Sequence, residues 1–361
     1  MQETTLLRER LVAELSKYVQ DENILDAFRR VPRHEFITTF YNRTSVNNKE
    51  VWCVSPDEAQ WLEEIYRNRP LTTSLDTNGQ PNVSSSQPDL MAQMMQSVQL
   101  RPGCRVLEVG TGTGYNAALL GCIAGNKNVV SIDINQSLLD MARERIERTI
   151  GTGITLLNAD GRNLPAPLGL FDAIIVTGSH ERFEPSWIKA LEQGGRIVFN
   201  WNKSFTKAML EAEKTSDGKL LGRVCEYRGD FMHLHDGHGV AWQRLPPERL
   251  ELIEPHEFQH HLFEVDFGFF LQIHLPYLTL HRYQKKSGER YYAVKDDQRV
   301  VQFFLSEIRG DVSLWEEIAN ARKEFERLGQ PKPQVFSLSV DIDGSMRFAY
   351  QERLGYEAKL T

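Results

Sequence analysis

The stretch VLEVGTGTGYNAALL, residues 106–120, constrains the fold more than any other. An apolar run ends in Gly110, Gly112 and Gly114 and passes at once into a small-residue helical stretch. Strand, glycine turn and helix in that order let the backbone turn tightly and approach a ligand closely. The pattern then repeats. NVVSIDI reads as a second strand, and Asn135 as the cap of a helix with Leu138, Met141, Ala142 and Ile146 on one face. GITLLNAD, FDAIIVTG and GGRIVFNW supply three more strands. Strands rich in Val, Ile and Leu that alternate with helices predict an α/β fold, a mostly parallel sheet covered on both faces, over residues 83–205.

The flanks differ. Leu7, Leu11 and Leu15 recur at helical spacing. Asp21 or Asn23 caps a second helix with Ile24, Ala27, Phe28 and Val31 on its buried stripe, and Pro32 stops it. Residues 41–82 read as irregular and polar, so 1–82 forms an N-terminal helical segment. Residues 206–361 form a C-terminal α+β appendage. FGFFLQIHL, ERYYAV and VVQFFL read as strands, and VFSLSVDIDGSMRFAY as a hairpin turning at Asp343-Gly344. Ser313 and Glu316 form a capping box for a helix carrying Leu314, Ile318, Phe325 and Leu328.

A net charge of −7 argues against a protein that grips nucleic acid through phosphates, and against an RNA-modifying enzyme. No apolar run is long enough to span a membrane, and the first residues lack the pattern of a signal peptide. Cys53, Cys104, Cys122 and Cys225 are far apart and form no C-x-x-C pair, which points to a cytoplasmic chain without a zinc-cysteine site.

The glycine turn admits two ligand classes. Counted from Gly110, Tyr115 stands where a dinucleotide fingerprint has its third glycine. Counted from Gly112, Ala117 stands in for it, so spacing alone leaves NAD open. No G-K-[ST] follows, which excludes a phosphate-binding P-loop. Glu108 before G-x-G-x-G suits S-adenosylmethionine better, because its amino-acid part can bond to loop amides and acidic groups. Asp133, at the next strand end, can accept both ribose hydroxyls, and Asp160, after the third, the adenine amino group.

With these pieces in place, residues 1–205 resemble protein-L-isoaspartate O-methyltransferases. AFRRVPRHEF, SSSQPDLMAQMM, VLEVGTGTGYNAALL, NADGR, FDAIIVTG and LEQGGRIV occur in that family's order and at about its spacing. The resemblance implies a Rossmann-like class I methyltransferase. It also implies a cofactor set of Gln87, Glu108, Gly110, Thr111, Gly112, Gly114, Asn116, Asp133, Ile134, Asp160, Gly161 and Thr177 around S-adenosylmethionine. YRNRPLTTSLDTNGQPNVSSSQP and SLWEEIANARKEFERLGQPKPQVFSLSV further resemble a divergent branch that methylates aspartate in ribosomally made peptides, lanthipeptides or ATP-grasp-ligated graspetides. The length of 206–361 favours that branch over simple repair.

The expected reaction is therefore methylation of an aspartate carboxylate in a cyclised precursor peptide, the ester then closing to aspartimide or isoaspartate. The alternatives are repair of isoaspartate in damaged proteins and a non-catalytic peptide-binding module. A carboxylate with a pKa of ~4 is already ionised at neutral pH, so the nucleophile needs orientation rather than a base. By the resemblance, Ser86 is the active-site serine of an [ST]-x-S-x-P motif and Ser84 the preceding hydroxyl, with both assigned to catalysis. Ser85, Ser179 and His180 are assigned to substrate. The Ser-rich run also reads as a helix N-cap before PDLMAQMM. Two metal-like motifs read as decoys: His256-Glu257-Phe258-Gln259-His260 matches H-E-x-x-H but starts an element at Pro255, runs into strand-like sequence and has no third ligand at a suitable spacing, and His233-Leu234-His235-Asp236-Gly237-His238 has its aspartate one place early and reads as a surface turn.

Overall fold

A computed structural model describes residues 2–43, 51–77, 79–234, 252–253, 264–284, 290–304, 307–350 and 357–360. The chain opens with helices α1 (Gln2–Leu15) and α2 (Glu22–Arg30). Asp21 caps α2 by accepting from the Asn23 amide, and Ile24, Leu25, Ala27 and Phe28 are buried along it. Among the described residues of 41–82 the chain is not irregular. Strands β1 (Phe40–Arg43), β2 (Val51–Val54), β3 (Leu71–Leu75) and β4 (Pro81–Ser85) form an antiparallel sheet in the order β2-β1-β3-β4, with the short helix α3 (Trp61–Ile65) between its halves. These strands are short and mostly polar or half-exposed, so they carry little alternating apolar signal.

Helix α4 (Pro88–Ser97) leads into the expected alternation: β5 (Val106–Val109), α5 (Tyr115–Ala124), β6 (Val129–Asp133), α6 (Gln136–Ile150), β7 (Thr155–Asn158), β8 (Phe171–His180), α7 (Pro185–Ala190) and β9 (Leu191–Lys203). Strands β7-β6-β5-β8-β9 lie side by side and parallel. The chain moves outward from β5 first to one side and then to the other. That reversal opens a crevice at the carboxyl ends of the strands, where open α/β sheets bind ligands. Alternate residues of β5 supply the two cores: Leu107 and Val109 pack on one face, Val106 on the other. Asn135 caps α6 through the amides of Ser137 and Leu138. The buried stripe of α6 is Leu139, Ala142 and Ile146, and Met141 is exposed.

The sheet does not stop at the parallel strands. β10 (Thr206–Lys214) and β11 (Leu220–Val224) continue it antiparallel, and β17 (Phe336–Val340), β18 (Met346–Tyr350) and β19 (Glu357–Leu360) complete ten strands. Between them lie β12 (Leu252–Ile253), α8 (Val265–His274), β13 (Thr279–Gln284), β14 (Arg290–Lys295), β15 (Val300–Phe303), β16 (Ile308–Gly310) and α9 (Val312–Arg327). β12 to β16 form a separate five-stranded sheet. FGFFLQIHL is a helix, not a strand. Phe267, Phe269, Phe270, Leu271 and Ile273 are all buried on α8, and a segment apolar on every side carries no period to read. The cap of α9 is Asp311, which accepts from the Leu314 amide, rather than the expected Ser313. Among the described residues, no helix is long and apolar enough to cross a membrane.

Candidate functional site

A cleft opens over the carboxyl ends of β5, β6 and β8. Its floor is the glycine turn. Gly110 has φ +102°, and a Cβ there would lie 2.6 Å from Thr177 Oγ1. Gly114, at φ +84°, starts α5 so close to α6 that a Cβ would meet Ala142 Cβ at 2.8 Å. Only glycine combines that backbone with such close approach. The amides of Gly110 and Thr111 donate to the Ile132 carbonyl at 2.8 and 3.2 Å, and Thr177 Oγ1 donates to the Val109 and Gly110 carbonyls at 3.0 and 2.7 Å. The turn is therefore held from both neighbouring strands.

Beneath it runs a buried polar chain. Ser131 donates to Glu108 Oε2, Asn116 Nδ2 donates to Glu108 Oε1 at 2.7 Å, and the Thr111 and Ser131 hydroxyls are 2.6 Å apart. Glu108 is fully buried, and desolvation pushes its carboxyl up to about 7 against the two hydrogen bonds it receives. Asn116 Oδ1 is buried at the cleft wall without a hydrogen-bond partner. An acceptor left without a donor is costly unless a ligand supplies one.

Asp133 stands at the rim. Its carboxylate accepts from the Gly112 amide at 2.9 Å and the Asn135 amide at 3.0 Å. Asn158 Nδ2 donates to the Asp133 and Ile134 carbonyls, and the Ile134 side chain stands exposed beside the cleft. Across the rim, Asp160 is bound by Arg162, with Nε 3.1 Å from both its oxygens and Nη2 at 2.8 Å. Those bonds hold its carboxyl below the ordinary range. Gly161 accepts the Trp187 indole proton at 2.6 Å through its carbonyl.

The facing wall is the serine run. β4 pairs with β3 so that Ser84 lies opposite Thr72 and Ser85 opposite Leu71. The chain then passes through Ser86 and Gln87 into α4, where Gln87 holds the cap position and makes no side-chain capping bond. Ser84, Ser85 and Ser86 all line the cleft. The Ser84 carbonyl lies 3.7 Å from where a Gly112 Cβ would be, so this wall approaches the glycine turn directly.

Most of the expected residues meet here: Ser84, Ser85, Ser86, Gly110, Thr111, Gly112, Asn116, Asp133, Ile134, Asp160, Gly161 and Thr177 share one cleft. Others stand elsewhere. Glu108 and Gly114 lie below the turn and shape it, and Gln87 lies outside the cleft wall. Ser179 is fully buried, its hydroxyl accepting from Asn202 Nδ2 at 3.3 Å. His180 pairs with Glu184 at 2.6 Å and packs edge-on to Trp187. The expectation that Ser179 and His180 face substrate is corrected, because β8 runs on through them as strand rather than ending in a loop at Thr177.

Two parts of the site escape the sequence. Phe231, Met232, His233 and Leu234 line the cleft as a strap laid along the end of β8. Ser179 donates its amide to Met232, and Leu234 donates to Ser179, each at 2.8 Å. His233 thus belongs to the cleft wall, whereas His235, Asp236 and His238, and the motif from His256 to His260, lie outside the described residues. The second part is Arg33. It is fully buried behind the serine wall, and it lies in the quoted piece AFRRVPRHEF without any spacing that marks it.

Comparison with known proteins fits this geometry. Residues 6–237 match the family model for protein-L-isoaspartate(D-aspartate) O-methyltransferase. A protein-L-isoaspartate O-methyltransferase of Thermotoga maritima is 29% identical over 340 residues, which cover 92% of this chain and 96% of the relative. Protein-L-isoaspartate O-methyltransferase 2 of a Polaromonas species is 31% identical over 62% of this chain and 93% of its own. A solved protein-L-isoaspartate O-methyltransferase shares the fold with a TM-score of 0.60 at 24% identity, covering 95% of this chain and 99% of its own. Another, from Plasmodium falciparum and solved with S-adenosyl-L-homocysteine, has a TM-score of 0.50 at 19% identity, covering 64% of this chain and 98% of its own.

Proposed function

Because the chain belongs to the protein-L-isoaspartate O-methyltransferase family, we propose that it methylates the free carboxylate of an isoaspartyl residue in a peptide or protein. It is an S-adenosylmethionine-dependent carboxyl O-methyltransferase. The observation that carries the substrate reading is the serine run Ser84–Ser86 set against the glycine turn in one cleft at the strand switch point.

The residues present fit the methyl donor. Asp133 retains acceptor capacity beyond the two amides it already binds, which suits a ribose diol. The buried, unpartnered Asn116 Oδ1 awaits a donor such as an ammonium group. Ile134 offers an apolar surface at the rim, and Gly112 leaves the floor open. When bound, the donor supplies an electrophilic methyl group on a sulfonium.

This chain's own residues then have a limited task. The acceptor carboxylate is ionised at neutral pH, so no general base is required. The Ser84 and Ser86 hydroxyls orient it by donating hydrogen bonds, and Phe231, Met232 and Leu234 exclude water from that side. Hydroxyl donors hold the anion without draining its nucleophilicity as a directly bound cation would. Once the ester has formed, the next main-chain nitrogen of the substrate can attack it, expel methanol and close a five-membered imide.

The cyclised ribosomal peptide, expected from two resembling stretches and from the length of 206–361, loses the support of that length here. The Thermotoga maritima relative covers nearly the whole chain, so a long C-terminal part also occurs in a protein named for isoaspartate. One experiment separates the readings. A linear isoaspartyl peptide, its normal aspartyl counterpart and a cyclised precursor peptide are each incubated with enzyme and methyl donor, and methyl gain is read by mass spectrometry. Methylation of the isoaspartyl peptide alone supports the proposal, and methylation of the cyclised peptide alone overturns it. Ser86→Ala should lower kcat/KM by about 10- to 100-fold, the worth of one well-placed hydrogen bond to a charged group, while donor affinity stays unchanged.

A further inference from the structure

Arg33 occupies the short 3₁₀ turn Arg33–Glu35 and is fully buried. Its Nη1 donates to the carbonyls of Ile65 and Arg67 at 2.9 and 3.1 Å. Its Nη2 donates to the carbonyls of Arg69 and Ser86, both at 3.1 Å, and to Ser85 Oγ at 3.4 Å. All five partners are neutral. Among the described residues no carboxylate forms an ion pair with it. Glu64, on the segment whose carbonyls Arg33 binds, is taken by Arg67 and Arg69. Burial lowers the guanidinium to about 10, which leaves it charged at neutral pH.

An unbalanced buried charge is expensive, and fold stability alone does not require one. A neutral residue could brace the same carbonyls with fewer bonds. What sets this position apart is its place one residue layer behind Ser85 and Ser86, which line the cleft. A positive charge there acts through a low-dielectric wall on whatever enters.

We propose that Arg33 is a positioning residue with two roles: it holds the Ser85–Ser86 wall, and its charge is completed by the acceptor carboxylate, so that it sets the site's preference for an anionic acceptor. This rests on the carboxylate-acceptor reading above. The guanidinium never touches the reacting atoms. It acts through the wall, close enough to attract the anion and too far to bind its oxygens directly.

The test compares inhibition by an isoaspartyl peptide and by the same peptide carrying the carboxamide. Wild-type enzyme should bind the carboxylate form about tenfold or more tightly. Arg33→Met should bring that ratio close to one and raise KM, with donor affinity by calorimetry unchanged, and Arg33→Lys should keep the ratio. Ser85→Asp reaches the same end without removing the brace, since it places a carboxylate beside Arg33. It should abolish the preference and raise the melting temperature above that of Ser85→Asn. Equal inhibition by the two peptides in wild type, or an unchanged ratio in either Arg33→Met or Ser85→Asp, overturns the proposal. A wild-type enzyme that binds neither peptide would instead refute the substrate reading.

Discussion

Replacing Glu108 by Gln tests whether the floor of the cleft stores a buried charge. Glu108 is fully buried, and its carboxyl rises from 4.5 to about 7, chiefly by desolvation. The sign follows from proton counting. Between these two values the folded protein binds the proton more tightly than the unfolded chain does. Stability is therefore fully present below about pH 4.5, declines as pH rises towards 7 and levels off above it. At about 1.4 kcal/mol per pH unit, the carboxylate costs the fold about 3 kcal/mol once ionised. Gln keeps the bonding pattern. Its carbonyl accepts from Asn116, its amide donates to Ser131, and Ser131 turns its proton to Thr111. Urea unfolding of both proteins, without methyl donor, should therefore show Glu108→Gln gaining on wild type by about 2–3 kcal/mol between about pH 5 and about pH 8. A gap that does not change with pH, or a variant less stable than wild type at about pH 8, would refute the reasoning.

Three further outcomes follow from the same site. Gly110→Ala forces a Cβ to 2.6 Å from Thr177 Oγ1 at a positive φ, and urea unfolding should show a loss of about 2–4 kcal/mol. Asp133→Asn sets an N–H against an amide that now donates to the carboxylate, so calorimetry should show donor affinity falling about 10- to 100-fold. His180→Ala should change kcat/KM by less than about twofold, because His180 is held by Glu184 outside the cleft. It should cost about 1–2 kcal/mol of stability through the lost bond, and a large kinetic defect would return His180 to the substrate.

The glycine turn and the acidic strand ends were legible because they are local. A strand, three glycines and the first turns of a helix lie within fifteen residues, and Asp133 ends and Asp160 closely follows a strand with its own apolar signature. The helix of α8 was not legible, since every side of it is buried and an unbroken apolar run fits strand and helix alike. The β1–β4 sheet was missed for the opposite reason, because its short strands are too polar to alternate. Ser179 and His180 were misplaced because β8 continues past the point where its apolar residues stop. There the strap around Met232 supplies backbone partners that lie more than fifty residues away in the chain.

By itself the sequence determined the α/β alternation, the glycine floor and the hydroxyl run, since each is encoded in neighbouring residues whose types dictate backbone shape. Only the tertiary structure decided which wall faces which. The strap of residues 231–234 and the guanidinium of Arg33 reach the serine run through space, by hydrogen bonds to main-chain carbonyls and amides. Every residue type presents those same groups, so no pattern of side chains along the chain records the pairing.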